Sequence, residues 1–311
     1  MMAELAAFLS TASYITVPIL LAALGGMICE RSGVVNIALE GIMGIGAFVA
    51  GTLQFLLLTS DTPLPFFGQQ SGSWVLISLA AILAGMLFSG LLAIISVSFN
   101  GNQTVVGIGM NFLALGLSIY LSRIIFQSDR TPTFPLGMVY WGKLYPSTYI
   151  GLTAVLAFWF LFRFTRLGMR ISSCGENPGA AATAGLNVRR LRYTAVLTSG
   201  AMAGLGGAYL ILTTTTQYAS TSINGQGFIA LATVAFGKWQ PFGILTAAFV
   251  FGSATTLSIY SSNLSWNFLR LLPSEIFNLL PYLITLLSIL LFSRKNRAPK
   301  ALGRNFDIST R

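Results

Sequence analysis

The feature that most limits what this chain can fold into is its longest polar, basic break in an otherwise apolar sequence. It runs from Arg163 to Arg192 and reads RFTRLGMRISSCGENPGAAATAGLNVRRLR. Arg163, Arg166 and Arg170 stand at one end and Arg189, Arg190 and Arg192 at the other. Lys/Arg excess beside apolar spans places a loop on the cytoplasmic side of a membrane. Within the loop, Asn177 is suited to cap a helix, Pro178 is pre-set for its first position and Gly185 can close it in the left-handed region. The spacing predicts one short helix there, about 10 Å long at 1.5 Å per residue.

The runs on either side are long and continuous, which predicts an all-α, polytopic helical bundle and excludes a barrel of short alternating strands. With 54% hydrophobic and 8% charged residues, the chain is far from the composition of a soluble domain. The net charge of +10 does not point to nucleic acid. Twelve of the eighteen Lys/Arg lie in the loop above or in the tail (Arg294, Lys295, Arg297, Lys300, Arg304 and Arg311), so the excess reads as topology. Cys29 and Cys174 lack metal or redox spacing and there is no histidine, which excludes disulfide frameworks, histidine-ligated metals and histidine proton relays. No phosphate-binding Gly-x-x-x-x-Gly-Lys-Ser/Thr occurs, so ATP hydrolysis is not expected of this chain.

The first span is expected from Tyr14 to Cys29, retained and with Pro18 in its opening turn, before the polar break Glu30-Arg31-Ser32-Gly33. The next run carries Asn36 and Glu40 at membrane depth, where a charge costs at least ~2.5 kcal/mol and needs a partner or a water-filled cavity. Two structural roles stand open for Glu40: an ion pair with Arg31, or capping of a neighbouring half-helix. Glycines at 107, 109 and 116 around Asn111 predict a broken helix, allowed only where it lines protein or water. Gln127 to Pro146 reads as a loop with Tyr140 and Trp141 at the interface. Small residues four apart from Ser199 to Gly204 predict close helix packing; Gly204-Leu205-Gly206-Gly207 follows no strand and is not read as a nucleotide loop. Gln226 and Phe228 open a run too short for a comfortable span, and a last span, kinked at Pro281, is expected from Ile276 to Phe292. About eight to ten segments result, some of them half-helices. The N-terminus is expected outside and a basic, mobile tail inside.

Gly33-Val34-Val35-Asn36-Ile37-Ala38-Leu39-Glu40 can be laid on Gly225-Gln226-Gly227-Phe228-Ile229-Ala230-Leu231-Ala232, a weak repeat. Inverted repeats of this kind set broken helices around a site near the membrane midplane.

The string Cys29-Glu30-Arg31-Ser32-Gly33-Val34-Val35-Asn36-Ile37-Ala38-Leu39-Glu40-Gly41 resembles the N-terminal signature of ATP-binding-cassette importer permeases of the branched-chain amino acid, ribose and nucleoside superfamily, nucleoside-type branch. Gly175-Glu176-Asn177-Pro178 to Gly185 is similar to that family's coupling-helix loop, and Phe236-Gly237-Lys238-Trp239-Gln240-Pro241 agrees too. The resemblance covers nearly the whole chain. It implies a transmembrane permease domain over 1–293 with the coupling loop at 163–193, a cytoplasmic tail at 294–311, and a place in a bacterial cytoplasmic membrane. It implies no enzyme activity and no cofactor of its own. The implied partners are a cytosolic ATPase with two nucleotide-binding halves, a second permease subunit, a substrate-binding lipoprotein and membrane lipid. Glu176, Asn177, Pro178, Ala181 and Gly185 would seat in the ATPase. For the pathway the candidates are Asn36, Glu40, Asn111, Gln226 and Phe228, amides for ring-edge hydrogen bonds and a phenyl face for stacking. A nucleoside-like solute is the implied cargo; riboflavin or a simple sugar is the alternative, and an ion-coupled carrier titrating Glu40 is a reading from another class.

Overall fold

The computed structural model describes residues 2–59, 73–134, 138, 144–260, 279, 283 and 298–306. The described residues form ten α-helices: α1 Met2–Arg31, α2 Leu39–Thr59, α3 Ser73–Ala93, α4 Gln103–Phe126, α5 Pro146–Phe164, α6 Arg166–Glu176, α7 Pro178–Thr183, α8 Val188–Leu210, α9 Gln226–Phe236 and α10 Pro241–Tyr260. Wider π turns over Ile94–Ser98 and Ile211–Thr215 prolong α3 and α8. Seven of these segments are long and apolar enough to cross a membrane, and α9 is a shorter apolar helix. The expected last span at Ile276 to Phe292, and Tyr140 and Trp141, lie outside the described residues.

Helix α1 starts well before Tyr14, because the Ala-rich stretch ahead of it is a good helix former. Pro18 therefore sits in the helix interior, a correction to its expected place in the opening turn. The helix closes where Gly33 takes φ +91° and its N–H donates to Glu30 O at 2.9 Å. The end of α1 is then locked to the turn between α9 and α10: Trp239 Nε1–H donates to Glu30 at 2.5 Å, and Arg31 Nε donates to Trp239 O at 2.9 Å. The Arg31 guanidinium also lies 4.3 Å from the Phe162 ring centroid.

At the centre, α8 packs on α1, α2 and α3. Its glycines make this possible. A Cβ on Gly200 would overlap Ser89 and the Gly85 carbonyl, one on Gly204 the Ala81 carbonyl, and one on Gly207 the Met43 carbonyl. The Ser199–Gly207 stretch is thus a packing face touching three helices, as its spacing predicted. The glycines of α4 act differently from expectation: α4 is continuous. Gly107 lets the chain at Ile37 and Ala38 come close, whereas Gly109 and Gly116 face open space.

Two helices begin inside the bundle. The chain leaves α1, runs extended past Val34, and starts α2 at Leu39, where Asn111 meets it about 12 Å along α4 from Gln103 at 1.5 Å per residue. The chain leaving α8 returns through residues 216–225 and starts α9 beside Glu40. The two pairs, α1 with α2 and α8 with α9, run in opposite senses, as an inverted repeat does. The register differs from the sequence match: Gly225 directly precedes α9, whereas Gly33 closes α1.

The basic loop holds two helices, not one. The first, α6, is amphipathic: Gly168, Ile171, Cys174 and Gly175 face inward at intervals of three and four, while Arg166 and Arg170 are exposed. The tail, expected to be mobile, is docked over 298–306. Ala301 N–H donates to Gly175 O at 2.8 Å, Gly303 N–H to Gly33 O at 3.0 Å, and Asn305 Nδ2 to Asn100 O at 2.5 Å. These bonds place the end of α1, the α3–α4 turn, α6 and the tail on one face, which we call the basic face.

Candidate functional site

The site is built where α2 and α9 start. Gly225, at φ +81°, turns the chain into α9, and the first N–H groups of that helix need acceptors that lipid cannot supply. Glu40 supplies them: Oε1 accepts from Gly225 N–H and Oε2 from Gly227 N–H, both at 2.7 Å. A Cβ on Gly227 would overlap the Glu40 backbone, so glycine is needed for this approach. Of the two structural roles open for Glu40, half-helix capping is the one present. Arg31 is engaged with Trp239 and Phe162 instead.

Asn111 makes the matching contact for α2. Its Oδ1 accepts from Gly41 N–H at 2.8 Å and its Nδ2 donates to Ile37 O at 3.0 Å. Asn36 is fully buried behind this junction, with Nδ2 donating to Ser199 Oγ at 2.8 Å and Oδ1 unpartnered. Gln103, unremarked in the sequence, completes the set by accepting Val35 N–H at 2.7 Å.

Beside the junction lies a cavity of about 420 Å³. Glu40, Asn111 and Phe228 line it, with Ser118, Tyr218, Ser220, Thr221 and Asn224 adding polar groups and Ile108, Phe112 and Ile223 apolar ones. The structure thus brings three of the five pathway candidates to one cavity. Asn36 and Gln226 are not among its lining, and the Gln226 Oε1 is buried without a partner.

The residues missed belong mainly to the stretch from Thr213 to Asn224, rich in hydroxyls yet without a charge. That composition was the available signal. Tyr218 O–H donates to Ser118 Oγ at 2.6 Å, and burial pushes its phenol up, so it stays a neutral hydrogen-bonding group at physiological pH. The segment is braced against residues 130–134, with Thr131 N–H donating to Tyr218 O at 2.9 Å. The cavity wall is partly open, since Phe112 and Phe228 are 71% and 50% exposed.

On the basic face, α7 has the expected cap: Asn177 Oδ1 accepts Ala180 N–H at 3.0 Å, Pro178 holds the first turn, and Gly185 takes φ +80°. Glu176 ends α6 and is exposed. Ala181 faces inward. It is buried against Cys174 and Val188, because a helix of this length needs an inward side chain to hold it down. The outward side of α7 consists of Gly179, Ala180, Thr183 and Ala184.

Among the described residues, a bundle of seven long apolar helices, with an additional half-helix beginning at a polar cavity, defines a polytopic membrane transport protein. The chain belongs to the family described as branched-chain amino acid transport system / permease component, whose model matches residues 8–289. It is 38% identical to the guanosine ABC transporter permease protein NupQ of Bacillus subtilis, over 92% of each chain. It is 34% identical to the nucleoside ABC transporter permease protein NupC of Lactococcus lactis, over 93% of each. The putative glucose ABC transporter permease protein TsgC13 of Haloferax volcanii is 33% identical over 79% of this chain and 75% of its own. No solved structure matches the chain. As a permease component it is a multi-pass membrane protein that provides a route, not an enzyme.

Proposed function

We propose that this chain is the membrane subunit of an ATP-driven importer and carries a nucleoside-like solute through the cavity at the α2–α9 junction. The observation that carries the reading is the pair of helix starts converging on Glu40 beside 420 Å³ of partly polar space. That volume lies within the roughly 300–1,000 Å³ of small-molecule pockets. Phe228 offers a stacking face, and Asn224, Thr221 and Tyr218 offer hydrogen bonds to ring and ribose edges. The guanosine and nucleoside permeases among the relatives favour this cargo over the glucose of the Haloferax protein or riboflavin.

ATP hydrolysis belongs to a separate subunit with two nucleotide-binding halves, which seats on the exposed side of α7 around Glu176, Asn177, Pro178 and Gly185. Ala181 acts from beneath as an anchor to α8. A second permease subunit covers the open cavity wall at Phe112 and Phe228, and an external lipoprotein delivers solute. The basic face lies in the cytosol, with Arg163, Arg166, Arg170, Arg189 and Arg190 exposed there. The tail residues 298–306 are part of that face.

An ion-coupled carrier fits the geometry less well, because both oxygens of Glu40 are committed to backbone donors. The test is uptake by proteoliposomes holding the chain, its sister permease, ATPase and lipoprotein. ATP-dependent accumulation of radiolabelled guanosine or another nucleoside is expected, competed by nucleosides and not by glucose or riboflavin. Uptake driven by a proton gradient without ATP contradicts the importer; ATP-driven uptake of glucose or riboflavin in place of nucleosides contradicts the cargo.

A further inference from the structure

Arg192, at the start of α8, is only 2% exposed, and neither its Nε nor its Nη2 has a hydrogen-bond partner. The ion pair found among the described residues joins Arg123 to Asp129 and leaves Arg192 unanswered. Its Nη2 lies against Gly33, and the thiols of Cys29 and Cys174 are close enough to act on its charge. A guanidinium stays charged in any protein environment, and a buried charge needs an opposite one. Arginine side chains near the end of a span ordinarily reach for water, as Arg189 and Arg190 do here. Arg192 instead is buried and lines a second, smaller cavity.

That cavity measures about 130 Å³ and is lined by Ser98, Asn100, Val188, Arg189, Arg192 and Phe306. Three segments meet there: the end of α3, the first turn of α8, and the docked tail. The buried Arg192 and the exposed Arg189 both line it, beside Val188 in the positive first turn of the 23-residue α8. No carboxylate is in the lining. At roughly 30 Å³ per water, the space holds about four waters, which suits one phosphate group and is too small for a nucleoside.

We infer that this pocket is a binding site for a phosphate-class oxyanion, held between Arg192 and Arg189 at the start of α8. Two guanidiniums and a helix N-terminus match the charge of a phosphate dianion, and the planar forks of arginine match its oxygens. The source is a free phosphate or phosphomonoester reaching the basic face, or the headgroup of a phosphomonoester lipid. A bound anion ties the α3–α4 turn and the tail to α8, a few residues beyond α7. The site stands apart from the solute cavity and does not depend on the cargo.

The test uses the full chain in nanodiscs of phosphatidylcholine and follows thermal unfolding while inorganic phosphate replaces chloride at constant ionic strength. A parallel series replaces part of the lipid with phosphatidic acid. Saturable stabilisation by phosphate is expected if the source is free, and stabilisation by phosphatidic acid if it is lipid. Arg192→Met, which swaps the buried charge for an apolar chain, should unfold cooperatively and lose the response. Arg189→Gln, at an exposed position, should fold normally and bind about tenfold more weakly, the loss of one charge-assisted contact; it carries the test alone if Arg192→Met does not fold. Wild-type protein indifferent to both phosphate and phosphatidic acid, or an Arg189→Gln response equal to wild type, overturns the assignment.

Discussion

The two helices that begin inside the bundle are held by different chemistry. The start of α2 is met by a neutral amide, Asn111, which takes one N–H and returns one hydrogen bond to a carbonyl. The start of α9 is met by a carboxylate, Glu40, which itself stands in the first turn of α2. One negative charge therefore lies at the positive ends of two helices at once. The difference sets an order of dependence: α9 rests on α2, and α2 rests on α4. It also explains an acid at membrane depth without any solute, because an amide has one acceptor oxygen where the two N–H groups use two, and it would leave both helix dipoles uncompensated.

Both starts hang on the same frame, so the largest expected effect is on that frame. Gly204→Leu drives a side chain into the Ala81 carbonyl and should cost more than about 3 kcal/mol, leaving little monodisperse protein in detergent size-exclusion profiles. Next comes Glu40→Ala, which strips two charge-assisted bonds and should cost about 3 kcal/mol in denaturant unfolding, with Glu40→Gln near half of that. Asn111→Ala should cost less, about 1.5 kcal/mol. Equal losses for Glu40→Ala and Asn111→Ala would break the distinction between the charged and the neutral start.

The smallest effect is expected at the surface helix start of α7, where water replaces a lost cap. Asn177→Ala should cost about 1 kcal/mol, and locally. Its reporter is Cys174, buried beneath α7 against Ala181 and Phe306. Burial pushes the Cys174 thiol up, so less thiolate, the reactive form, is present at a given pH than in a free cysteine. Native protein should therefore alkylate slowly and need higher pH, while Asn177→Ala should label faster at the same pH. Unchanged labelling would show that the cap does not hold α7 down.

Much of this arrangement was legible in the chain. Asn36, Glu40 and Asn111 stood out because polar groups in apolar runs need partners; Glu40 and Asn111 sit at the junction and Asn36 is buried behind it against Ser199. What could not be read was where each side chain points. The donors to Glu40 lie up to 187 residues away, so a helix cap and a solute ligand look alike in sequence. The same limit hid Arg192, which reads as one more topological arginine until the fold buries it. Helix α6 was missed because its inward positions include Gly168, Cys174 and Gly175, too small to announce an apolar stripe. The docking of 298–306 rests on backbone groups of Gly175 and Gly33, which carry no side-chain signature.

The central claim is that the cavity beside Glu40 is the path the solute takes, and one labelling measurement addresses it directly. Phe228→Cys places a thiol in the cavity wall while the described native cysteines, Cys29 and Cys174, stay buried. In the assembled transporter, a nucleoside should slow modification of that thiol by a water-soluble maleimide in a concentration-dependent way, and modification should block ATP-driven uptake. Labelling indifferent to nucleoside, with uptake intact after full modification, would contradict the account.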